Sequence, residues 1–280
     1  MRFPVAIAIG LVIAVSACGD ENTTDESVDA LEVETAPPDS SPWPAPLTRD
    51  LQSWTVRILD RLPHDPASFT QGLELTDLGL IESTGRTGQS ALLLIDRQSG
   101  AALLERPLDD QHFGEGVTQS GDEIIQLTWQ AGIALRYDAA TLELRSTATY
   151  SGEGWGICSG EAGLWMSNGT SELTRRDPVT FSPEETVTVQ LDGVPLEGLN
   201  ELECIGEHVV ANVWKSDDVF VVDPATGIVR ATIDAAALSV ENEGAGATAV
   251  LNGIADMGDG TLLLGGKLWP TFFLVEVVTG

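Results

Sequence analysis

A single carboxylate, Glu115, occupies a position that other residue types fill in four related segments of the chain. It lies in the phrase Phe-Gly-Glu-Gly-Val at residues 113–117, and degenerate copies of this phrase recur along the 280 residues. Alignment of the five copies places the following residues at one position: Gln71, Glu115, Trp155, Asn200 and Asn252. Only one of the five copies carries a carboxylate at this position. This asymmetry is the first indication that the position has a chemical role.

The spacing of the five copies defines a repeat. Successive copies are separated by 44, 40, 45 and 52 residues. Periods of this length are typical of propellers and solenoids, in which one supersecondary unit is stacked repeatedly. A second landmark has a similar period: an apolar strand ends in an acidic residue, with Ser or Thr three places later, which suits a hairpin turn. The acidic residues are Asp96, Asp138, Asp177 and Asp223.

Each repeat is predicted to form four short antiparallel strands, and no long stretch shows helical periodicity. Five such units predict an all-β, five-bladed β-propeller. The last repeat ends at the turn after its third strand, and residues 53–59 form an additional strand ahead of the first repeat. We expect this N-terminal strand to complete the last blade and to cover two sheet edges. An open solenoid would leave those edges exposed.

Equivalent positions of propeller blades converge on the central axis, so the residues aligned with Glu115 are expected to form a ring at the channel mouth. A second ring is expected 13 to 15 residues further along each repeat. Phe69 and Phe113 are expected at the rim. Together the rings predict one pocket in which polar groups face three tryptophans. The second ring comprises Trp129, Asn168, Trp214 and Lys267, with Ser83 or Thr84 in the first blade.

These residues also have purely structural interpretations. Tryptophans in propellers commonly pack between blades. Glu115 is alternatively a buried acid satisfied by backbone amides, with Lys267 as its ion-pair partner. Buried polar groups that do not serve structure are costly to keep, and an apolar pocket with a few polar groups is the usual form of a ligand site. The convergence of these residue types favours a functional pocket.

The first 46 residues are expected to lie outside the globular domain. Residues 1–18 combine Arg2 with a short apolar run and end in small residues followed by Cys18, a pattern that resembles a bacterial lipobox. It predicts a lipoprotein signal peptide, lipidation at Cys18, and a domain anchored on the periplasmic or extracellular side of a bacterial envelope; an ordinary signal peptide is the alternative. Residues 19–46 hold eight acidic residues and five prolines and predict a disordered tether. Residues 47–280 remain for the propeller domain.

Charge and cysteine content narrow the expected partners and cofactors. Beyond residue 46, 35 acidic residues face 13 basic ones, which argues against nucleic acid or an anionic membrane as a partner. Attraction of cationic peptides and simple solubility both explain this charge. Cys158 and Cys204 are the only thiols of the domain, and a disulfide between them and two separate buried thiols are both open. Neither these cysteines nor the three histidines have metal-ligand spacing, so we expect no metal and no other cofactor.

Ten short motifs of the chain resemble those of the plant and bacterial type of glutaminyl cyclase, also called glutaminyl-peptide cyclotransferase. They run in family order through all five repeats, within residues 54–280. The resemblance implies a five-bladed propeller that works without catalytic zinc, converting N-terminal Gln of peptides or proteins to pyroglutamate with release of ammonia. A monomer is expected. The motifs lie at 64–73, 82–85, 113–116 (Phe113-Gly114-Glu115-Gly116), 127–129, 154–156 (Gly154-Trp155-Gly156), 168–170, 200–203, 211–214, 251–255 and 266–270.

The same resemblance implies roles for individual residues. Glu115 would be the catalytic general acid and base, and Gln71, Asn200 and Lys267 would hold the substrate amide and its developing charge. After residues 82–85 the family usually has an apolar–aromatic pair, whereas this chain has Arg86 and Thr87. That departure concerns the second residue of the substrate and leaves the mechanism untouched. The implied substrate-binding residues are Phe69, Phe113, Trp129, Trp155 and Trp214.

Two other functions fit the residues when the resemblance is set aside. A glutamate with nearby amides can ligate calcium, as in a calcium-dependent propeller lactonase, but Trp155 in the ring and Lys267 beside it disfavour a cation site. Alternatively, an envelope lipoprotein uses its propeller as a scaffold for a partner. Chelator-sensitive ester hydrolysis would identify the lactonase. A partner that is retained when Glu115 is altered would identify the scaffold.

Overall fold

The computed structural model describes residues 42–242, 244 and 246–280. The predicted signal peptide, the lipidation site Cys18 and the predicted tether up to residue 41 lie outside the described residues. Trp43, within the predicted tether, stacks on Trp54 with ring centroids 5.7 Å apart and packs against a buried apolar cluster. Contacts with the folded domain therefore begin before residue 47.

The regular secondary structure of the described residues is almost entirely β-strand, as the sequence predicts. The first strand, β1 (Gln52–Pro63), precedes three four-stranded antiparallel sheets whose strands follow chain order. These sheets are blades 1 to 3. Blade 1 comprises β2 (Thr70–Leu75), β3 (Leu80–Thr84), β4 (Ala91–Ile95) and β5 (Ala102–Pro107); blade 2 comprises β6 (Gly114–Ser120), β7 (Glu123–Thr128), β8 (Ile133–Asp138) and β9 (Leu144–Thr149); blade 3 comprises β10 (Ile157–Gly160), β11 (Gly163–Ser167), β12 (Glu172–Arg176) and β13 (Pro183–Thr188).

Two small elements outside the repeat pattern flank the fourth blade. A hairpin of two short strands, each of two residues, precedes this blade, and a six-residue helix follows it. The sequence period predicts neither element. Within the described residues, no helix has the length and hydropathy needed to span a bilayer. In chain order the elements are β14 (Gln190–Leu191), β15 (Val194–Pro195), β16 (Leu199–Ile205), β17 (His208–Val213), β18 (Asp218–Asp223), β19 (Ile228–Asp234), α1 (Ala236–Glu241), β20 (Leu251–Asp256), β21 (Leu262–Gly266) and β22 (Thr271–Thr279).

The N-terminal strand β1 completes blade 5, which confirms the predicted closure. Blade 4 consists of β16 to β19, and blade 5 consists of β20 to β22 with β1 as its outer strand. β1 pairs antiparallel with β22 over Trp54 to Pro63 and parallel with β19 over Gln52 to Thr55. Both pairings meet at Trp54, which lies opposite Thr279 and Ile233. One strand therefore covers two sheet edges, as expected.

The apolar core lies between the blades. Five buried clusters occur, one for each pair of neighbouring blades. The cluster that shows closure joins Leu73 and Leu80 of blade 1 to Leu263 and Phe272 of blade 5. Each blade buries both faces against its neighbours, so the sheets form a closed ring. Each blade is therefore stabilised by the two blades next to it.

The predicted hairpin turns between the third and fourth strands are confirmed. In each of blades 1 to 4, the Ser or Thr hydroxyl donates to the acidic side chain three residues earlier. Such local bonds satisfy polar groups that the strands leave unpaired. The donor–acceptor distances are 2.7 Å for Ser99 and Asp96, 3.1 Å for Thr141 and Asp138, 2.8 Å for Thr180 and Asp177, and 2.8 Å for Thr226 and Asp223.

A disulfide joins blades 3 and 4. Cys158 on β10 and Cys204 on β16 are bonded, with their Cα atoms 5.3 Å apart. Both cysteines belong to or pack against the apolar cluster between these blades. The structure thus selects the disulfide from the two alternatives that the sequence leaves open, because innermost strands of adjacent blades bring equivalent positions together.

Several carboxyl groups on the innermost strands lie away from the pocket described below. Glu201 and Glu203 on β16 are buried, and each has a carboxylate oxygen without a hydrogen-bond partner. Burial raises their pKa values well above the ordinary range, and the neighbouring carboxylates add to the effect. Glu74 on β2 has its pKa raised to about 7, also chiefly by burial. In the folded chain these groups retain protons that the unfolded chain loses at lower pH.

We expect the Trp54→Ala variant to lose about 3–5 kcal/mol of unfolding free energy, the usual result of truncating a buried aromatic residue. Trp54 is 3% exposed and lies where β1 meets two sheets. Urea unfolding followed by circular dichroism measures the loss. Trp214→Ala is the matched control, because Trp214 is 50% exposed; equal stability of the two variants would contradict the role assigned to β1.

The Glu203→Gln variant should resist alkaline pH better than the wild-type chain. A carboxyl whose folded pKa is raised lowers the free energy of unfolding as pH rises from its unfolded pKa through its folded pKa, by about 1.4 kcal/mol per pKa unit. The amide has no such dependence. Urea midpoints should therefore be similar at pH 5 and higher for the variant at pH 8. The exposed Glu172→Gln is the control, and a stability gain no larger at pH 8 than at pH 5 would contradict the assignment.

Candidate active site

The channel mouth holds a pocket of about 220 Å³. Both predicted rings contribute to it, and every lining residue is among the site residues predicted from the sequence. The ninth predicted residue, Phe69, packs edge-on against Phe113 with ring centroids 6.2 Å apart, so it supports the wall from behind. The lining residues are Gln71, Phe113, Glu115, Trp129, Trp155, Asn200, Trp214 and Lys267.

Glycines in the repeated phrase bring the innermost strands close together. A Cβ atom on Gly116 would lie 2.8 Å from the Cα of Gly156, and one on Gly156 would lie 2.0 Å from the carbonyl oxygen of Asn200. The backbone N–H of Gly116 also donates to the carbonyl of Trp155 at 2.7 Å. Without side chains at these positions, adjacent blades approach to van der Waals contact. The residues that precede the glycines therefore converge in one narrow pocket.

Among the described residues, Glu115 is the only carboxylate that lines the pocket. Its side chain is 4% exposed, and its Oε2 has no hydrogen-bond partner within the part of the chain that the structure describes. Burial raises the pKa of Glu115 well above the ordinary value, the positive charge of Lys267 opposes this, the negative charge of Glu153 adds to it, and a hydrogen bond with Gln71 opposes it. The net rise keeps a protonatable carboxyl with a free oxygen inside the pocket.

Lys267 supplies the positive charge of the pocket. It is 6% exposed, and burial lowers its pKa to about 8, although the charge of Glu115 acts in the opposite direction. Its Nζ lies 5.0 Å from the centroid of the Phe69 ring, within the range of a cation–π contact. An ammonium with this pKa is mostly charged at neutral pH but holds its proton less firmly than an exposed lysine.

Two amide side chains complete the polar part of the site. Asn200 is 1% exposed, and its side-chain Oδ1 has no hydrogen-bond partner in residues 42–242, 244 and 246–280. The hydroxyl of Ser167 donates to the Asn200 backbone carbonyl at 2.6 Å and so fixes this residue. Gln71 is also buried and hydrogen-bonds to Glu115. A buried amide with an unused oxygen can accept a hydrogen bond from a ligand, since leaving it unpaired is costly.

Aromatic rings form the walls in two edge-on pairs. Phe113 and Trp129 have centroids 5.7 Å apart, and Trp155 and Trp214 have centroids 6.1 Å apart. Trp214 is half exposed and therefore lies at the entrance. The arrangement provides an apolar enclosure around a few polar groups, the usual composition of a small-molecule site.

The remaining residues of the two predicted rings do not line the pocket. Asn252 is fully buried, and its Nδ2 donates to the Thr70 carbonyl at 3.0 Å, so its amide ties blade 5 to blade 1. Asn168 accepts from the backbone N–H of Thr170 at 3.1 Å and stabilises its own turn. Ser83 donates to the backbone carbonyl of Glu115. The Nδ2 of Asn252 also lies 3.4 Å from the Oε1 of Gln71, so Asn252 and Ser83 both contact residues that line the pocket.

Glu153, which the sequence did not predict, also belongs to the site. Its Oε2 accepts from the indole Nε1 of Trp129 at 2.7 Å and from that of Trp155 at 3.0 Å. Glu153 lies outside the aligned phrase positions, so the repeat gave no signal for it. Only its place two residues before Trp155 could have drawn attention to it. Within the described residues, no group of three or more His, Cys, Asp or Glu is arranged to hold a metal ion.

The fold and the pocket define a propeller protein whose site combines a buried carboxyl group, a lysine and two amides in an apolar enclosure. Residues 30–277 match the family model described as glutamine cyclotransferase. A glutaminyl-peptide cyclotransferase of Arabidopsis thaliana is 34% identical over 227 residues, which is 79% of this chain and 71% of that protein. The crystal structure of Myxococcus xanthus glutaminyl cyclase matches with a TM-score of 0.79 and 37% identity, covering 82% of this chain and 100% of that one.

The chain therefore belongs to the glutamine cyclotransferase family. These comparisons confirm the resemblance on which the sequence analysis relied and the enzyme class that it implied. They favour neither a calcium-dependent lactonase nor a non-enzymatic scaffold.

Replacing Lys267 with Met should raise the pKa of Glu115. The ammonium lowers that pKa in the folded chain, and the methionine keeps a similar length without the charge. A ¹³C NMR titration of the glutamate carboxyl groups, with the Glu115 signal assigned from Glu115→Gln, measures the shift. The exposed Lys215→Met is the control. A Glu115 signal that titrates at the same or a lower pH in Lys267→Met would contradict the assigned coupling.

Proposed function

We propose that this enzyme cyclises the N-terminal glutamine of peptides or proteins to pyroglutamate, with release of ammonia and with Glu115 as general acid and base. The observation that supports this role best is the Glu115 carboxyl itself. It is buried, it has a free oxygen, and it shares the pocket with two amides, a lysine and three indoles. Family membership supplies the reaction class.

The reaction places both reacting groups in one residue of the substrate. The α-amine of the N-terminal glutamine attacks the carbon of its own side-chain amide. A new C–N bond closes the five-membered ring, and the bond to the side-chain nitrogen breaks. Well-oriented intramolecular reactions reach effective molarities of about 10⁵ to 10⁸ M. The enzyme therefore has mainly to fold the substrate side chain back onto the amine and to manage two proton transfers.

Glu115 would perform both transfers. A free α-amine has a pKa near 8, so a useful fraction is neutral and nucleophilic at physiological pH. Ionised Glu115 accepts the proton that the attacking nitrogen loses, and it then delivers that proton to the departing nitrogen, which leaves as ammonia. A raised pKa suits a group that must both take and return a proton. Burial raises the pKa of Glu115 in this direction.

The other pocket residues would bind and shield the substrate. The unpaired oxygen of Asn200 is suited to accept from the substrate amide N–H, and the charge of Lys267 is suited to stabilise the amide oxygen as it gains negative charge. Gln71 would keep the Glu115 carboxyl oriented through their hydrogen bond. The indoles would enclose the folded side chain and exclude water, which disfavours hydrolysis of the amide to glutamate.

In the Glu115→Gln variant, the rate of ammonia release from a Gln-initiated peptide should fall by a factor of about 10² or more, the usual contribution of a general acid–base group. A coupled ammonia assay and mass spectrometry of the peptide measure the two products independently. Circular dichroism checks the fold, and the exposed Glu172→Gln is the matched control. Ammonia release at the wild-type rate in Glu115→Gln would refute the role of this carboxyl but not the family assignment.

A further inference from the structure

Glu153 joins two walls of the pocket from outside the pocket itself. It lies in the loop between β9 and β10, and its Oε2 accepts from the Nε1 atoms of Trp129 and Trp155 at 2.7 and 3.0 Å. Its Oε1 accepts from the Nε2 of Gln130 at 2.8 Å. Trp129 and Gln130 follow β7 of blade 2, whereas Trp155 precedes β10 of blade 3. One carboxylate therefore connects the loops of two blades.

The chemistry of the three donors explains why a carboxylate suits this position. An indole N–H can only donate, so each tryptophan needs an acceptor to fix the rotation of its ring. A carboxylate offers two oxygens with several lone pairs and no competing donor, and its charge strengthens each bond. The hydrogen bond from Gln130 is the largest contribution that lowers the pKa of Glu153, and those from Trp155 and Trp129 add to it. Glu153 is consequently ionised at neutral pH.

The charge of Glu153 also reaches Glu115. It raises the pKa of Glu115, whereas Lys267 lowers it. The two groups thus act in opposite directions on the same carboxyl. This electrostatic link gives Glu153 a measurable effect on proton transfer that hydrogen bonding to the indoles alone would not produce.

We propose that Glu153 is a positioning residue of the cyclisation reaction, holding Trp129 and Trp155 in the orientation that encloses the folded glutamine side chain. The proposal rests on the proposed function, because it assigns the purpose of the two indoles. Three observations support this role of Glu153. Its carboxylate accepts two short hydrogen bonds from indoles, it bridges the loops of two blades, and its charge acts on Glu115. Without the carboxylate the indoles rotate more freely, and the pocket no longer favours the cyclisable conformation.

Two variants separate the hydrogen-bonding role from the charge. Glu153→Ala removes both, and it should lower kcat/KM for a Gln-initiated peptide by about tenfold or more, since it removes several charge-assisted hydrogen bonds. Glu153→Gln retains an oxygen that can accept from an indole but has no charge. Its KM should therefore be much closer to the wild-type value than the KM of Glu153→Ala. The exposed Glu161→Gln of the same blade is the matched control and should behave as the wild-type enzyme.

The pH profile supplies a result that a merely structural role would not give. In the proposed mechanism Glu115 must be ionised to accept the first proton, so the acidic limb of kcat/KM follows its pKa. Removal of the Glu153 charge lowers that pKa, and the acidic limb should move to lower pH in both Glu153 variants. Equal activity losses in the two variants with an unmoved acidic limb would overturn the proposal, as would a Glu153→Ala enzyme that behaves like Glu161→Gln.

A readout independent of catalysis distinguishes failure of this proposal from failure of the proposed function. Tryptophan fluorescence should change in intensity and become more accessible to acrylamide in Glu153→Ala, but not in Glu161→Gln. If the wild-type enzyme releases no ammonia, the proposed function fails whatever the fluorescence shows. If the wild-type enzyme is active and Glu153→Ala leaves both fluorescence and kcat/KM unaltered, only the role of Glu153 fails.

Discussion

Closure of the ring is the constraint on which the rest of this molecule depends. Each blade buries apolar side chains against two neighbours, and the cluster between blades 5 and 1 makes the fifth interface. That interface requires an outer strand for the last blade, which β1 provides from the other end of the folded domain. A closed ring forces equivalent positions of the blades toward one axis. Glu115 therefore meets Asn200 and Lys267 although they are far apart in sequence.

The electrostatics of the pocket follow from the same closure. Because the innermost strands approach closely at Gly116 and Gly156, the Glu115 carboxyl is removed from water. The cost of burying its charge exceeds the attraction of Lys267 and the hydrogen bond of Gln71, so its pKa rises. The same balance lowers the pKa of Lys267 to about 8, since burial outweighs the attraction of Glu115. Burial thus raises the pKa of the acid and lowers that of the amine within one pocket.

The features that repeat along the sequence could be predicted, and those that do not repeat could not. The aligned phrase predicts the pocket because a period in sequence becomes a position around the axis. The same rule brings Asn252 next to Gln71, but its amide donates to the Thr70 carbonyl and does not line the cavity, since a period does not determine a rotamer. Glu153 was missed because it lies in a loop that has no counterpart among the aligned positions. The bond between Cys158 and Cys204 needed the distance between adjacent blades, which residue spacing does not contain.

Arg86 contacts the site indirectly, through the ring of Phe69. Arg86 has a φ of 85°, a left-handed conformation that is uncommon for a residue with a side chain, and its guanidinium lies 4.8 Å from the centroid of the Phe69 ring. The Lys267 ammonium also contacts that ring. This chain therefore places two cations against the Phe69 ring. Phe69 in turn packs against Phe113, so the change at Arg86 alters the support of one pocket wall without placing a new side chain among the lining residues.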